Sequence, residues 1–129
     1  MKFYEKTLTV TPNDLDELNH VNNIRYIDWV QQISKEHWEK VTSQEIQNEL
    51  IWVVRKHEVN YFKSAVLEDV LTLHTYISQN KGPISTRMVE IWHNKTNTLL
   101  VKANTDWCLL DASTFRPRRV PEHIATLFE

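Results

Sequence analysis

Apolar and polar positions alternate along most of this chain and follow a helical period in one long stretch near its start. Lys2 to Val10 alternates loosely and is rich in aromatic and β-branched residues, which predicts a strand ending at Thr11-Pro12. From Asn23 to Val41, the residues Tyr26, Ile27, Val30, Ile33, His37, Trp38 and Val41 recur at helical spacing. Arg25, Asp28, Gln32, Lys35 and Glu39 lie opposite them. The apolar arc is broad, as in a helix embedded within a protein. After a polar connection around Thr42 to Asn48, strand character returns in Ile51 to Phe62, Val70 to Gln79, Ile84 to His93 and Thr98 to Asp111. The breaks fall at Ser64-Ala65 with Glu68-Asp69, at Asn80-Lys81-Gly82-Pro83 and at Asn94-Lys95-Thr96-Asn97; only the last two are short enough for hairpins. Pro117 to Pro121 reads as extended chain, and Glu122 to Phe128 as a short closing helix with Pro121 near its start.

The order strand, long helix, four strands predicts an α+β domain in which a five-stranded antiparallel sheet wraps around the long central helix, although the pattern alone leaves other α+β arrangements open. With 129 residues, the chain fits one such domain, 1–129, and has no internal repeat or linker. Its 41% apolar and 25% charged residues are ordinary globular composition. A net charge of -2 gives no electrostatic reason to expect nucleic acid or an anionic membrane as partner. No apolar run resembles a signal peptide or a membrane span, so the expected location is the cytoplasm. Cys108 is the one cysteine and lies in the apolar run Trp107-Cys108-Leu109-Leu110, which suits a buried small residue better than a nucleophile. Six histidines are scattered without the spacing of a zinc site, and no glycine-rich phosphate loop is present, so neither metal nor cofactor is expected.

One connection stands apart. Residues 14–23 read DLDELNHVNN, with three acids, a histidine and three asparagines and no glycine, between the first strand and the helix. Asparagine supplies both turn conformations with positive φ and side-chain oxygens for a helix N-cap, the expected role of Asn22 or Asn23. Asp14-Leu15-Asp16, followed by His20-Val21-Asn22-Asn23 and Tyr26, resembles the loop and helix start of the 4-hydroxybenzoyl-CoA thioesterase family. The portion from His20 through Trp29 is similar to plant-type fatty acyl-ACP thioesterases. Weaker similarity continues through Val59-Asn60-Tyr61, Glu68 to Leu71 and Pro117 to Pro121. The resemblance implies a hotdog fold and an acyl thioesterase acting on acyl-CoA or acyl-ACP.

Asp16 takes the position of the catalytic aspartate in that resemblance, as nucleophile or as general base toward water. A helix beginning near Asn23 offers a backbone N–H to polarise the thioester carbonyl, and its positive end favours an ionised acid nearby. His20 is the third catalytic candidate, through proton sharing or substrate orientation; its alternative is a loop histidine that ties down backbone. Tyr26 and Trp29, with Trp52, are candidates for the wall of an acyl tunnel, against ordinary core packing. Lys81, Arg87, Arg118 and Arg119 are candidates for the phosphates of coenzyme A, against plain solvation. His37, in the middle of the apolar arc, reads as a buried, hydrogen-bonded histidine. The plant-type pattern is incomplete: Leu18 stands where that family has asparagine, and Ser64 where it has glutamate, with Glu58 and Glu68 nearby. This favours a mechanism centred on Asp16. An open five-stranded sheet leaves edges that a second copy can pair, so a homodimer or tetramer is expected, with the acyl site at the subunit interface. The readings set against hydrolysis are a hotdog hydratase or dehydratase on hydroxyacyl thioesters and a non-catalytic acyl-thioester-binding protein.

Overall fold

The computed structural model describes residues 1–129. Strand β1 (Phe3–Thr9) is followed by helix α1 (Asn23–Val41), a short helix α2 (Gln44–Glu49), and strands β2 (Leu50–Tyr61), β3 (Val70–Lys81), β4 (Ile84–His93) and β5 (Thr98–Asp111). A last short helix, α3 (Glu122–Ala125), runs into a 3₁₀ turn, Thr126–Phe128. The five strands form one antiparallel sheet in the order β1-β3-β4-β5-β2, so β1 and β2 are its edges. This is the hotdog arrangement, with α1 lying against the inner face.

The boundaries of α1, β4 and β5 follow the sequence pattern, and α1 starts where its capping chemistry allows. Asn22 is the N-cap, its side-chain oxygen accepting the Ile24 N–H at 3.0 Å. The buried side of the helix is Tyr26, Trp29, Val30, Ile33, Ser34 and His37. Fully buried side chains such as Val30 and Ile33 each contribute roughly 1.5–3 kcal/mol to holding the helix on the sheet. Thr42 to Asn48 is not a plain connection. Gln44–Glu49 is helical, because Ser43 caps it by accepting the Ile46 N–H at 3.3 Å; six residues show too little periodicity to reveal this. The β3–β4 hairpin is also tighter than its polar stretch suggests, with only Gly82 and Pro83 between the strands and Gly82 at φ 59°.

Two apolar clusters sit between helix and sheet. The larger joins Tyr26, Trp29, Val30 and Ile33 to Leu71, Leu73, Val89, Ile91, Val101 and Ala103. The smaller joins Leu50, Leu109, Ile124 and Phe128, with Trp38, Trp52 and Ile77 packed against it. Buried polar groups, among them Ser34, His37, Thr75, Ser85, Arg87 and Thr105, also lie on this inner side.

Candidate active site at the start of the central helix

The loop before α1 is folded back on itself. Leu15 pairs with Val21, the Asn22 N–H donates to the Asp14 carbonyl at 2.9 Å, and the Val21 N–H donates to Ala65. Within this closure, residues 16–20 make a tight turn. The Asp16 N–H donates to the His20 carbonyl at 2.8 Å and the Asn19 N–H to the Asp16 carbonyl at 3.1 Å. Asn19 takes φ 62°, the left-handed conformation for which asparagine substitutes for glycine. The turn aims two backbone donors at one oxygen of Asp16: Oδ1 accepts from Leu18 N–H at 2.9 Å and from His20 N–H at 3.2 Å. Oδ2 takes no donor from the chain. Half-buried Asp16 is therefore held by one oxygen and free at the other, in the loop that leads into α1. The side chain of Asn22 is committed to Ile24, and the N–H of Asn23, first in the helix, lies ahead of any intrahelical acceptor.

Asp14 has a different task. It is 4% exposed; its Oδ1 accepts from Arg25 Nε at 2.6 Å, and its Oδ2 from the Thr11 N–H at 2.8 Å and hydroxyl at 3.1 Å. Burial alone would raise this carboxyl, but the Thr11 N–H, the Arg25 guanidinium and the Thr11 hydroxyl outweigh it and hold the group below its ordinary value. Tyr26 clamps the far side of the loop. Its buried hydroxyl accepts the Ala65 N–H at 3.0 Å, so the segment that pairs with Val21 and His20 is tied to α1. Around the loop, Leu18, Ile24, Tyr61, Phe62, Val66 and Leu67 are exposed, and the Tyr61 hydroxyl donates to the Asn23 carbonyl at 3.4 Å.

A carboxylate with one free oxygen, in the loop before a helix N-terminus, invites comparison with known hydrolases. The family model described as the acyl-ACP thioesterase N-terminal domain matches residues 1–128. The chain belongs to this thioesterase family. Its fold recurs in YbaW, a probable thioesterase from Escherichia coli, at TM-score 0.85 and 22% identity over 97% of this chain and 96% of that one. The protein SAV2348 from Staphylococcus aureus, solved in complex with CoA, superposes at TM-score 0.88 and 19% identity, covering 97% of this chain and 80% of that one. The 12:0-ACP thioesterase from Umbellularia californica gives TM-score 0.84 and 17% identity; 98% of this chain covers 51% of that one. No curated protein matches the sequence. The chain is thus a member of a family of thioester hydrolases with the hotdog fold, and none of its helices is long and apolar enough to cross a membrane.

In this thioesterase chain the remaining candidates do not converge on Asp16. His20 is joined to Asp16 through its backbone N–H and carbonyl, and its exposed ring bonds to neither. Tyr26 and Trp29 meet edge to face at 5.6 Å inside the larger apolar cluster. Lys81 is exposed at the β3–β4 hairpin, and Arg118 lies 3.6 Å from Asp111 on the extended segment whose Val120 N–H binds Gly82. The 12-residue strand β3 separates this corner from the Asp16 loop by about 36 Å. Leu18, at the family's asparagine position, is 70% exposed and contributes only its N–H; Ser64 is exposed beside Ala65.

Arg87 departs most from expectation. It is 5% exposed rather than solvated, because β4 alternates and Ser85, Arg87, Val89 and Ile91 share the inward face. Its Nη1 donates to His37 Nδ1 at 2.8 Å and to the Thr75 hydroxyl at 3.1 Å. His37 therefore carries its proton on Nε2, which donates to the Met1 carbonyl at 3.0 Å, and the ring stacks on Tyr4. Burial and the neighbouring guanidinium push His37 down to about 4, and burial pushes Arg87 down to about 10. The period-2 pattern of β4 carried the signal for Arg87, since it places the arginine in register with Val89 and Ile91.

Proposed function

We propose that this chain hydrolyses acyl thioesters of coenzyme A or acyl carrier protein, releasing a carboxylic acid and a thiol, with Asp16 at the reacting carbon. The observation that carries the reading is the Asp16 carboxylate, anchored at Oδ1 by two N–H groups and open at Oδ2, in a turn just ahead of the Asn23 N–H. As general base, Oδ2 takes a proton from water while the water oxygen bonds to the thioester carbon. As nucleophile, Oδ2 itself forms that bond, giving an anhydride that water then opens. In both routes the carbonyl oxygen gains charge beside the helix N-terminus, the C–S bond breaks, and the sulfur leaves as thiolate and takes up a proton. The CoA complex of SAV2348 and the ACP specificity in the name of the Umbellularia enzyme support the two carriers. The detached ring of His20 gives a hydratase no proton relay with Asp16, so its part in this reading is to hold Asp16 through backbone.

The working form is a cytoplasmic homodimer joined along β2. This strand is a sheet edge whose beginning, Leu50, lies toward the C-terminal half of α1 and whose end, Tyr61, bonds to Asn23 at the helix start. A two-fold axis pairing β2 with its copy antiparallel sets the Tyr61 end of one protomer beside the Leu50 end of the other. Each Asp16 loop then faces the partner's far half, where Lys81 and Arg118 are candidate phosphate partners. The exposed Val53 and Val54 on β2 are consistent with such an interface.

Thiol release from a panel of short, long and aromatic acyl-CoAs, and from acyl carrier protein thioesters, tests the activity; hydrolysis of none refutes it. Asp16→Asn that keeps its fold and its turnover removes Asp16 from the chemistry. A single turnover in ¹⁸O water, followed by mass spectrometry of the peptide containing residue 16, detects an anhydride opened at its aspartyl carbon, because only that route deposits label in the Asp16 carboxylate.

A further inference from the structure

Under the C-terminal half of α1 lies a cavity of about 430 Å³, between the helix and strands β2 to β5. Its size falls in the roughly 300–1,000 Å³ range of small-molecule sites. Trp38, Trp52 and Ile77 are among its apolar walls, and Ser85, Arg87 and Trp107 provide polar groups. The last three come from one patch of sheet. Ser85 sits opposite Trp107 in the β4–β5 ladder, and Arg87 follows Ser85 on the same inward face.

These three polar groups on the sheet all offer donors, and two of the three lack a partner. The Ser85 hydroxyl and the Trp107 indole nitrogen are buried without any hydrogen bond. Only Nη1 of Arg87 is engaged, with His37 and Thr75, and Arg87 takes part in no ion pair. The single carboxylate lining the cavity, Glu39, pairs with Lys35 at 3.8 Å. A buried guanidinium without counter-charge is costly, as are buried hydroxyl and indole groups without acceptors. One anionic oxygen pair placed between them would answer all three, since guanidinium binds a carboxylate through two parallel N–H groups.

We infer that this cavity binds a carboxylate carried on an apolar body, with Arg87, Ser85 and Trp107 contacting the carboxylate and Trp38, Trp52 and Ile77 the body. In this chain the site is separate from the Asp16 loop. Asn23 and Gln31, the first cavity-lining residue of α1, are about 12 Å apart along the helix. Two sources offer this chemistry: a free carboxylic acid, or the far end of an acyl group that reaches in from a partner's Asp16 loop. The second source rests on the thioesterase reading above, and the first does not.

The test uses the whole chain and two probes of equal length, octanoate and 1-octanol, titrated by calorimetry and by tryptophan fluorescence. Octanoate is expected to bind at least about tenfold more tightly than octanol, the margin a buried charged contact provides. Trp107→Phe and Ser85→Ala, which remove one donor each, should shrink that ratio about threefold or more, and Arg87→Met should abolish it. Should Arg87→Met fail to fold, the other two variants carry the comparison. Equal affinity for the two probes, no binding of octanoate, or a ratio unmoved by the variants overturns the inference. The sources are separated by thiol release from octanoyl-CoA and its ω-carboxy counterpart. Preference for the ω-carboxy thioester that shrinks about threefold or more in Trp107→Phe assigns the acyl end; no preference, with octanoate still bound, assigns the free acid. A chain that releases no thiol from any thioester leaves the binding titration intact, so failure of the hydrolase reading and failure of this site are read separately.

Discussion

The two ends of α1 treat charge in opposite ways. At its start the acids of the loop are anchored: Asp14 is buried against Arg25 and Thr11, and Asp16 is held by two backbone N–H groups while one oxygen stays open. Along its far half a cation, Arg87, is buried among hydroxyls, an imidazole and tryptophans with no acid paired to it. A satisfied buried pair stabilises a loop in one conformation, whereas an unsatisfied buried donor is a site awaiting an acceptor. The first end is built to hold a group still, and the second to receive one.

The sharpest break in this comparison is at Asp16. Asp16→Asn retains the Oδ1 acceptor for Leu18 and His20, so the turn persists, but the proton acceptor or nucleophile is gone. Turnover should fall about 10²–10⁴-fold, the usual contribution of a general base, with little change in melting temperature. Steady-state thiol release alongside a thermal melt checks both halves, and a large loss of stability would mean that Asp16 is a structural acid like Asp14.

Acid separates the two ends along the pH axis. His37 ordinarily titrates near 6.5 and is held at about 4 in the folded chain. Between those values the unfolded chain binds a proton that the folded chain does not. The contribution is fully present above 6.5, declines as pH falls toward 4, and is gone below, amounting to up to about 3 kcal/mol. His57, pushed down by burial, acts in the same direction. Asp14 is lowered instead from 3.8, so its contribution is present above the ordinary carboxylate range and lost only as pH falls through its depressed value. Urea unfolding at a series of pH values should show stability falling between 6.5 and 4, before the contribution of Asp14 is lost. His37→Gln should flatten most of the slope between 6.5 and 4; a slope that survives the substitution intact would place its origin elsewhere.

Next in size is Asp14→Ala, which strands Arg25 and the Thr11 N–H. Because the Arg25 side chain is 39% exposed, water recovers part of the loss, and about 2 kcal/mol is expected by denaturant melting. Asp14→Asn, which keeps an acceptor for Thr11, should cost about half as much.

What could be read in the sequence follows the same division. The parts of the helix start lie within residues 14–26, so one continuous stretch displayed the acids, the asparagine turn and the cap, and α1 and four of the strands followed from strong periodicity. The cavity draws on α1, β2, β3, β4 and β5, whose residues are far apart in sequence and meet only through strand register. Arg87 and Lys81 look alike as isolated cations; only counting alternate positions from Val89 and Ile91 separates the buried one from the exposed one. Helix α2 escaped notice for a third reason, since a six-residue helix is decided by its Ser43 cap and by tertiary contact more than by pattern.

The smallest effect is also the one that distinguishes a conformational role from a chemical one. Each end of the molecule turns on a residue with positive φ, Asn19 at 62° beside Asp16 and Gly82 at 59° in the β3–β4 hairpin. A Cβ on Gly82 would meet nothing within 4 Å, so Gly82→Ala costs only the backbone preference, about 1 kcal/mol. Asn19→Ala should cost a similar about 1 kcal/mol, and Asn19→Gly only a few tenths. Stability alone would make the two turns equivalent. Turnover should not, because the left-handed residue at 19 is what turns the Leu18 and His20 N–H groups onto Asp16 Oδ1. Asn19→Ala is therefore expected to lower kcat several-fold while Gly82→Ala leaves it unchanged, and Asn19→Gly should restore it. Equal kcat in all three variants would mean that Asp16 finds its working geometry from the substrate rather than from the turn.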